Sequence, residues 1–142
     1  MAEKIVIALG GNALQSGKGE ATAEAQLEVV KKTCEYIADI SCKGYEVGIV
    51  HGNGPQVGRI LLASETAKEV TPAMPFDVCG AMSQGYIGYH IQQALRFALA
   101  QRNHPVPVST LETQVVVDGD DPGFKNPTKP IGPFYSEEEA KA

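Results

Sequence analysis

The first apolar run of the chain, residues 5–9, reads Ile-Val-Ile-Ala-Leu without a polar interruption. Such a run is typical of a parallel strand buried on both faces, whereas a half-exposed strand alternates apolar and polar residues. Residues 45–50 (YEVGIV) predict a second strand. Between them, apolar residues recur at helical spacing from Thr22, a candidate N-cap, to Gly44, where the helix should end. The pattern therefore predicts a right-handed parallel βαβ unit.

Two further helices are predicted after this unit. Pro55 stands where the first turn of the next helix is expected, and its apolar face is formed by Val57, Ile60, Leu61 and Ala67. A longer helical pattern runs from Phe76 to about Arg102. Each glycine inside it costs about 1 kcal/mol relative to alanine. A close neighbour, either another helix or a second subunit, is therefore expected at Gly80, Gly85 and Gly88.

The last part of the chain combines short strands with an irregular loop. Residues 105–110 (PVPVST) and 113–118 (TQVVVD) predict two strands, and residues 118–134 contain too many prolines and glycines for a regular element. Ser136 and Glu139 then match a capping box, which marks the start of a helix. Because the chain stops before that helix has two turns, we expect a truncated sequence; a frayed polar tail is the alternative.

Composition narrows the function classes. The 142 residues are 43% hydrophobic and 20% charged, which fits one ordinary globular domain. A net charge of -5 gives no general attraction for nucleic acid, so an anion would be held by local geometry. No run approaches the ~18 apolar residues of a membrane span, and no signal peptide is visible. We expect a cytoplasmic protein without nucleic-acid or membrane partners, and buried reduced thiols at Cys34, Cys42 and Cys79.

Both predicted strands end in glycine-rich turns, Gly10–Asn12 after the first and Gly52–Gly54 after the second. Carboxyl ends of parallel strands meet at one edge of the sheet, where open α/β sheets bind their ligands. Bare backbone N–H groups at that edge predict an anion site that needs no basic side chain. A simple tight turn remains the alternative for Gly10–Asn12. Neither turn matches the dinucleotide fingerprint or the phosphate loop.

Few charged side chains stand out as candidates. Lys125 and Lys129 lie in a proline-rich loop and are either directed at a ligand or solvated surface lysines. His51 follows the second strand and is either a base or a hydrogen-bonded structural imidazole. His90 and His104 lack partners at metal-ligand spacing. No metal site is expected, because turn chemistry is favoured over metal binding for Asp118, Asp120 and Asp121.

Three stretches resemble the carbamate kinases of the amino-acid kinase family in order and separation: residues 6–14 (VIALGGNAL), 50–58 (VHGNGPQVG) and 113–134 (TQVVVDGDDPGFKNPTKPIGPF). The resemblance implies an α/β three-layer sandwich with a mainly parallel sheet, here truncated to its N-terminal half. Residues 1–117 would form the lobe with the carbamate and phosphoryl site. Residues 118–142 would begin a protruding subdomain, and the C-terminal nucleotide-binding half would be absent.

The activity implied by this resemblance is reversible phosphoryl transfer between ATP and carbamate. It would run from carbamoyl phosphate and ADP toward ATP, in arginine metabolism, with Mg²⁺ held mainly by the nucleotide. A homodimer with the helix from Phe76 at its interface is also implied, and this chain alone is expected to be inactive. The alternatives are a kinase of another carboxylate or phosphate acceptor in the same fold, and a non-catalytic anion-binding fragment.

The resemblance also assigns the candidate site residues. The transferred phosphoryl group would be cradled by Gly10, Gly11 and Asn12. Carbamate would be held by Gly52, Asn53 and Gly54. Lys125 would neutralise charge during transfer, so the catalytic group would be Lys125, Gly11 and Asn12. Lys129 either faces the site or holds the loop. No general base is required, because carbamate is already an oxyanion nucleophile.

Overall fold

The computed structural model describes residues 2–15, 21–131 and 136–141. Its elements in chain order are β1 (Lys4–Leu9), α1 (Gly11–Leu14), α2 (Ala23–Cys42), β2 (Glu46–His51), α3 (Gly54–Thr66), α4 (Phe76–Gln101), a 3-10 turn (Pro122–Phe124) and α5 (Glu137–Lys141). The predicted βαβ unit and the two helices after it are confirmed. The chain has the α/β organisation that the sequence indicated.

The ends of α2 follow from its sequence. The Thr22 hydroxyl oxygen accepts a hydrogen bond from the Ala25 backbone N–H at 3.2 Å, as expected of an N-cap. Gly44 has a φ of 94°, in the left-handed region that a side chain disfavours, and it ends the helical stretch. These two residues set the length of the crossover between the strands.

β1 and β2 pair in parallel, and the register runs from Lys4 opposite Glu46 to Leu9 opposite His51. One face of this sheet packs against α2 and α4, through Ile7, Leu9, Val47 and Ile49. The other face is open, with Val6 72% and Val50 52% exposed. The prediction that both faces are buried is therefore wrong for this chain, because α2 and α4 lie on the same side of the two strands.

The core lies between the covered sheet face, α2 and the second half of α4. Its buried apolar residues are Leu9, Leu14, Val30, Cys34, Ile37, Ala38, Ile87, Ile91, Ala94, Leu95, Ala98 and Leu99. Polar contacts join the two helices at both ends of this core. The Tyr86 hydroxyl donates to Gln26 Oε1 at 2.8 Å, and the Arg102 guanidinium contacts the carboxylates of Glu35 and Asp39, each at 2.7 Å.

The prediction of two strands at residues 105–110 and 113–118 is wrong. Within the described residues the sheet contains only β1 and β2, and neither segment joins it. A strand exists only where its backbone pairs with another, and the β-branched run here is instead exposed, with Val116 99% accessible. Thr110, at the end of the first segment, contacts the Gln92 side chain, whose Nε2 donates to Thr110 Oγ1 at 2.6 Å.

This contact also explains one glycine of α4. A Cβ at Gly88 would lie 2.3 Å from the Thr110 methyl carbon, so the segment before residue 111 can approach the helix only because Gly88 lacks a side chain. The close neighbour expected from the sequence is therefore an extended segment at Gly88. At Gly80 an added Cβ meets no atom within 4 Å.

The chain divides into two compact units, residues 1–53 with 84–111, and residues 54–83 with 112–142. In the second unit, Val57 and Cys79 are buried. The Met74 backbone N–H donates a hydrogen bond to the Ser64 hydroxyl oxygen at 2.7 Å. α5 begins directly after Ser136, where the capping box predicted a helix start; the Glu139 side chain lies outside the description. The domain boundary predicted at residue 118 stays a prediction.

The cysteines differ in their environments. Cys34 and Cys79 are buried free thiols, as expected, whereas Cys42 is exposed at the last position of α2. The expectation that all three are buried is therefore wrong for Cys42. Cys42 lies one turn beyond Ala38, which is the last buried residue of α2, so it extends past the core. In the part of the chain that is described, no helix has the length and apolar character needed to cross a bilayer.

Candidate functional site

The parallel register brings the two glycine-rich turns to one edge of the sheet. Leu9 and His51 are partners at the carboxyl ends of β1 and β2, and Gly10 and Gly52 are the residues that follow them. The prediction that both turns leave the same edge is confirmed for these positions in the first unit. Gly54, which begins α3, belongs to the second unit.

The glycines of these turns are required neither by backbone conformation nor by packing. Gly10 has φ -80° and ψ 178°, which any residue adopts, and among the described glycines only Gly44 has a positive φ. An added Cβ meets no atom within 4 Å at Gly10, Gly11, Gly52 or Gly54. Open space therefore lies beside the backbone at all four positions, in contrast to Gly88. The backbone conformation at Gly10 therefore does not support the alternative of a tight turn that requires glycine.

The first turn passes directly into the one-turn helix α1. The Ala13 N–H donates to the Gly10 carbonyl at 3.0 Å, and the Gln15 N–H donates to the Gly11 carbonyl at 2.9 Å. Leu14 anchors the turn in the core, since only 3% of it is exposed. The Asn12 side chain lies outside the description, so its role in the phosphoryl cradle stays a prediction.

A contact from α2 to this turn was not predicted from the sequence. The Thr33 hydroxyl lies 3.0 Å from the Ala13 carbonyl oxygen, to which it donates. Threonine is a weak helix former, and its place in the middle of α2 was the only signal that a hydroxyl could be needed there.

The second turn is linked to the histidine that precedes it. His51 Nδ1 lies 3.0 Å from the Gly52 carbonyl oxygen, and because a carbonyl only accepts, Nδ1 carries the proton. The imidazole therefore has a local backbone contact of the kind expected for a structural histidine. Asn53, the next candidate, is partly exposed.

Lys125 and Lys129 lie in the second unit. The Lys125 backbone N–H donates to the Pro122 carbonyl at 3.1 Å, which places the residue at the end of the 3-10 turn with an exposed side chain. Lys129 is exposed as well. Among the described residues, neither ammonium group takes part in an ion pair. Each is therefore accessible to an anionic ligand.

The aspartates before Lys125 shape the loop backbone. Asp118 Oδ1 accepts from the Asp120 N–H at 3.0 Å, and Asp121 Oδ1 accepts from the Gly123 N–H at 2.7 Å. These are the turn contacts that the sequence favoured over metal binding. Across the described ranges, no group of three or more His, Cys, Asp or Glu side chains is placed to hold a metal ion.

Residues 3–126 match the sequence model of the Amino acid kinase family. This chain therefore belongs to that family. The chain is 56% identical over 141 residues to a carbamate kinase of Clostridium perfringens and 55% identical to one of Pyrococcus horikoshii. These matches cover 97% and 99% of this chain but 45% and 46% of the relatives. The chain thus spans about half the length of the curated relatives it matches.

Solved structures agree with this similarity. A Giardia lamblia carbamate kinase bound to citric acid superposes with a TM-score of 0.91 at 45% identity, covering 99% of this chain and 45% of that one. The same enzyme bound to AMP-PNP gives a TM-score of 0.89 at 46% identity, covering 99% and 44%. The amino-acid-kinase-like α/β fold and the resemblance to the N-terminal half of a carbamate kinase are confirmed.

Proposed function

We propose that this chain supplies the carbamate and phosphoryl site of a carbamate kinase. The observation that carries the proposal is the pair of glycine turns that follow Leu9 and His51, where open space adjoins the backbone and nothing in the fold requires glycine. A backbone without side chains can approach a bound oxyanion closely and offer it N–H groups. The similarity to carbamate kinases supports the choice of reaction, and it does not favour another acceptor or a non-catalytic fragment.

In the proposed reaction, a β-phosphate oxygen of ADP attacks the phosphorus of carbamoyl phosphate. The bond between phosphorus and the carbamate oxygen breaks, and its electron pair leaves with carbamate. The leaving group is a stable anion and the attacking group is ionised, so no proton has to be moved. The difficulty is to hold two anions together, which calls for positioning and for positive charge at the transferred group.

The residues divide this task between backbone and ammonium groups. The phosphoryl group would be met by the backbone N–H groups of Gly10, Gly11 and Asn12, and carbamate by those of Gly52, Asn53 and Gly54. The Lys125 ammonium would offset the charge that is spread over the transferred oxygens. Lys129 either adds a second positive charge or holds the loop.

The nucleotides ATP and ADP are the proposed cosubstrates, and the Giardia lamblia enzyme bound to AMP-PNP supports this assignment. Mg²⁺ would be held mainly by the nucleotide phosphates. The carboxylates of Asp118 and Asp121 accept hydrogen bonds from backbone N–H groups of their own loop, so the nucleotide phosphates would supply the oxygen ligands. Bound in this way, Mg²⁺ would neutralise phosphate charge.

A homodimer in the cytoplasm, serving arginine metabolism, completes the proposal. The dimer is supported by exposed apolar side chains on α4, which are Phe76, Val78, Met82, Tyr89 and Phe97. Open space at Gly80 would let a partner backbone approach the same helix. A cytoplasmic location is supported by three cysteines that form no disulfide among the described residues.

A chimaera tests the proposed function. This chain would replace the matching 141-residue stretch of the Clostridium perfringens relative, and ATP formation from carbamoyl phosphate and ADP would be measured in a coupled assay. We expect turnover comparable to that of the parent enzyme. A folded chimaera that binds ADP but neither binds nor converts carbamoyl phosphate would contradict the assignment.

Two matched pairs of variants in the chimaera locate the site. Lys125→Ala should lower kcat by about 10²-fold or more, as for one preorganised donor, while Lys43→Ala, an exposed lysine after α2, should not. Gly11→Ala should lower kcat/KM by about 10²-fold because a methyl group enters the space reserved for the phosphoryl group. Gly119→Ala is the control, since its added Cβ is equally unhindered.

A further inference from the structure

We infer that Thr33 is a positioning residue for the Gly10–Asn12 turn, an inference that rests on the proposed function. Its hydroxyl oxygen lies 3.0 Å from the Ala13 carbonyl oxygen and 3.3 Å from the Val29 carbonyl oxygen of its own helix. A hydroxyl has one proton, and the shorter contact is the one that reaches from α2 to α1. Thr33 therefore joins the turn that would hold the phosphoryl group to the longest helix of the βαβ unit.

The turn needs such an anchor because α1 has only four residues. A helix of one turn has no stability of its own and depends on tertiary contacts. Carbonyls in the last turn of a helix lack intrahelical donors, and Ala13 is in this position. The Thr33 hydroxyl supplies the donor, while Leu14 supplies the apolar contact with the core.

The anchored carbonyl is close in sequence to the peptide units that would face the phosphoryl group. The Gly10 and Gly11 carbonyls are already fixed by the N–H groups of Ala13 and Gln15. With the Ala13 carbonyl also held, the peptide planes from Gly10 to Leu14 are constrained on successive units. The direction of the N–H groups that would meet the ligand is thereby set by α2, and preorganised donors of this kind are more effective than mobile ones.

A second threonine offers an internal comparison. In α3, the Thr66 hydroxyl donates to the Leu62 carbonyl of its own helix at 2.7 Å. This is the local contact that a helical threonine commonly makes. Thr33 makes the equivalent contact only at the longer distance. Thr66→Val therefore removes only a bond within its own helix, whereas Thr33→Val removes the bond that crosses to α1.

The test measures phosphate binding residue by residue. The chain contains 15 glycines, so selective ¹⁵N-glycine labelling gives a small set of amide signals that includes Gly10 and Gly11. Inorganic phosphate is titrated into the wild type, Thr33→Val, Thr33→Ser and Thr66→Val. We expect Thr33→Val to weaken the phosphate affinity of the Gly10 and Gly11 signals about 5- to 10-fold, the value of one hydrogen bond. Thr33→Ser, which keeps the hydroxyl, and Thr66→Val should leave the affinity within about twofold of wild type.

The two proposals fail in different ways. If phosphate shifts neither glycine signal in the wild type, the proposed anion site is wrong, and the positioning role of Thr33 falls with it. If the wild type binds phosphate and Thr33→Val binds it equally well, only the role of Thr33 is wrong. Urea unfolding of the same proteins separates a general loss of stability from a loss of binding. Should Thr33→Val not fold, Thr33→Ala takes its place, and equal binding by that variant overturns the inference.

Discussion

The two faces of the β1–β2 sheet carry similar side chains and have opposite environments. On one face, Ile7 and Ile49 contact a core built from α2 and α4. On the other face, Val6 and Val50 are more exposed than buried. Both sets belong to the same uninterrupted apolar runs, so residue type does not distinguish them. The difference arises because both long helices pack on one side.

This comparison shows what a strand pattern reports. A continuous run of branched apolar residues indicates a strand that is suited to burial on both faces. Whether a face is covered depends on which helices reach it, and that is a property of tertiary packing. The open face, together with the accessible apolar residues of α4, makes this chain a candidate for association with a second protein surface.

The largest effect is expected on the covered side. Leu99 of α4 is 1% exposed within the core, so Leu99→Ala should lower the free energy of unfolding by about 2–5 kcal/mol through lost burial and a residual cavity. Urea unfolding followed by circular dichroism measures this. Leu62→Ala is the control, because Leu62 of α3 is 47% exposed. Equal losses in the two variants would contradict the location of the core.

The next effect concerns the segment that lies against α4. Gly88→Ala should destabilise the protein by about 1–3 kcal/mol, because the new Cβ would lie 2.3 Å from the Thr110 methyl carbon. Without that neighbour, alanine would be favoured in the helix by about 1 kcal/mol. Thr110→Gly removes the three atoms nearest to the added Cβ, so a double-mutant cycle should show that the two changes together cost less than their sum. Additive losses would mean that the segment does not approach Gly88.

Prediction from sequence succeeded where the signal is local. Thr22 and Gly44 bounded α2 through capping and a left-handed backbone, and Gly10 and Gly52 follow β1 and β2 at one edge of the sheet, as predicted. It was wrong at residues 105–118, because a β-branched run forms a strand only when another strand is available to pair with it.

Features that the sequence did not indicate were missed for the same reason, which is that they depend on contacts between distant parts of the chain. Thr33 lies 20 residues after Ala13 in the chain, so nothing local to either residue indicates that the two meet. The exposure of Cys42 likewise follows from its place at the end of α2, one turn beyond the last buried residue of the helix. Candidate residues that would act through their own backbone, such as Gly10 and Gly11, were the easiest to propose from the sequence.

The free energy of unfolding should also depend on pH through Cys34, which lies in the core on the covered side of the sheet. Burial, with a smaller contribution from Glu35, raises the pKa of the Cys34 thiol from 9.0 to about 12. The unfolded chain loses this proton above pH 9 while the folded chain keeps it, so the contribution of Cys34 to stability is complete below pH 9 and is lost as pH rises toward 12. Unfolding free energies from pH 8 to 11 should fall more steeply for the wild type than for Cys34→Ala. Parallel curves would mean that Cys34 ionises as readily as an exposed thiol.

The smallest effect is expected on the open face. Val6→Thr should change the free energy of unfolding by no more than about 0.5 kcal/mol, because the side chain is 72% exposed and threonine is also β-branched. Ile7→Thr is the matched change one residue along β1, and it should cost about 1–3 kcal/mol because it places a hydroxyl against the core. Both are measured by urea unfolding at two protein concentrations. A loss at Val6 as large as that at Ile7 would show that the open face is covered in solution. If that loss grows with protein concentration, a second copy of the chain provides the cover, because association stabilises the folded state by mass action.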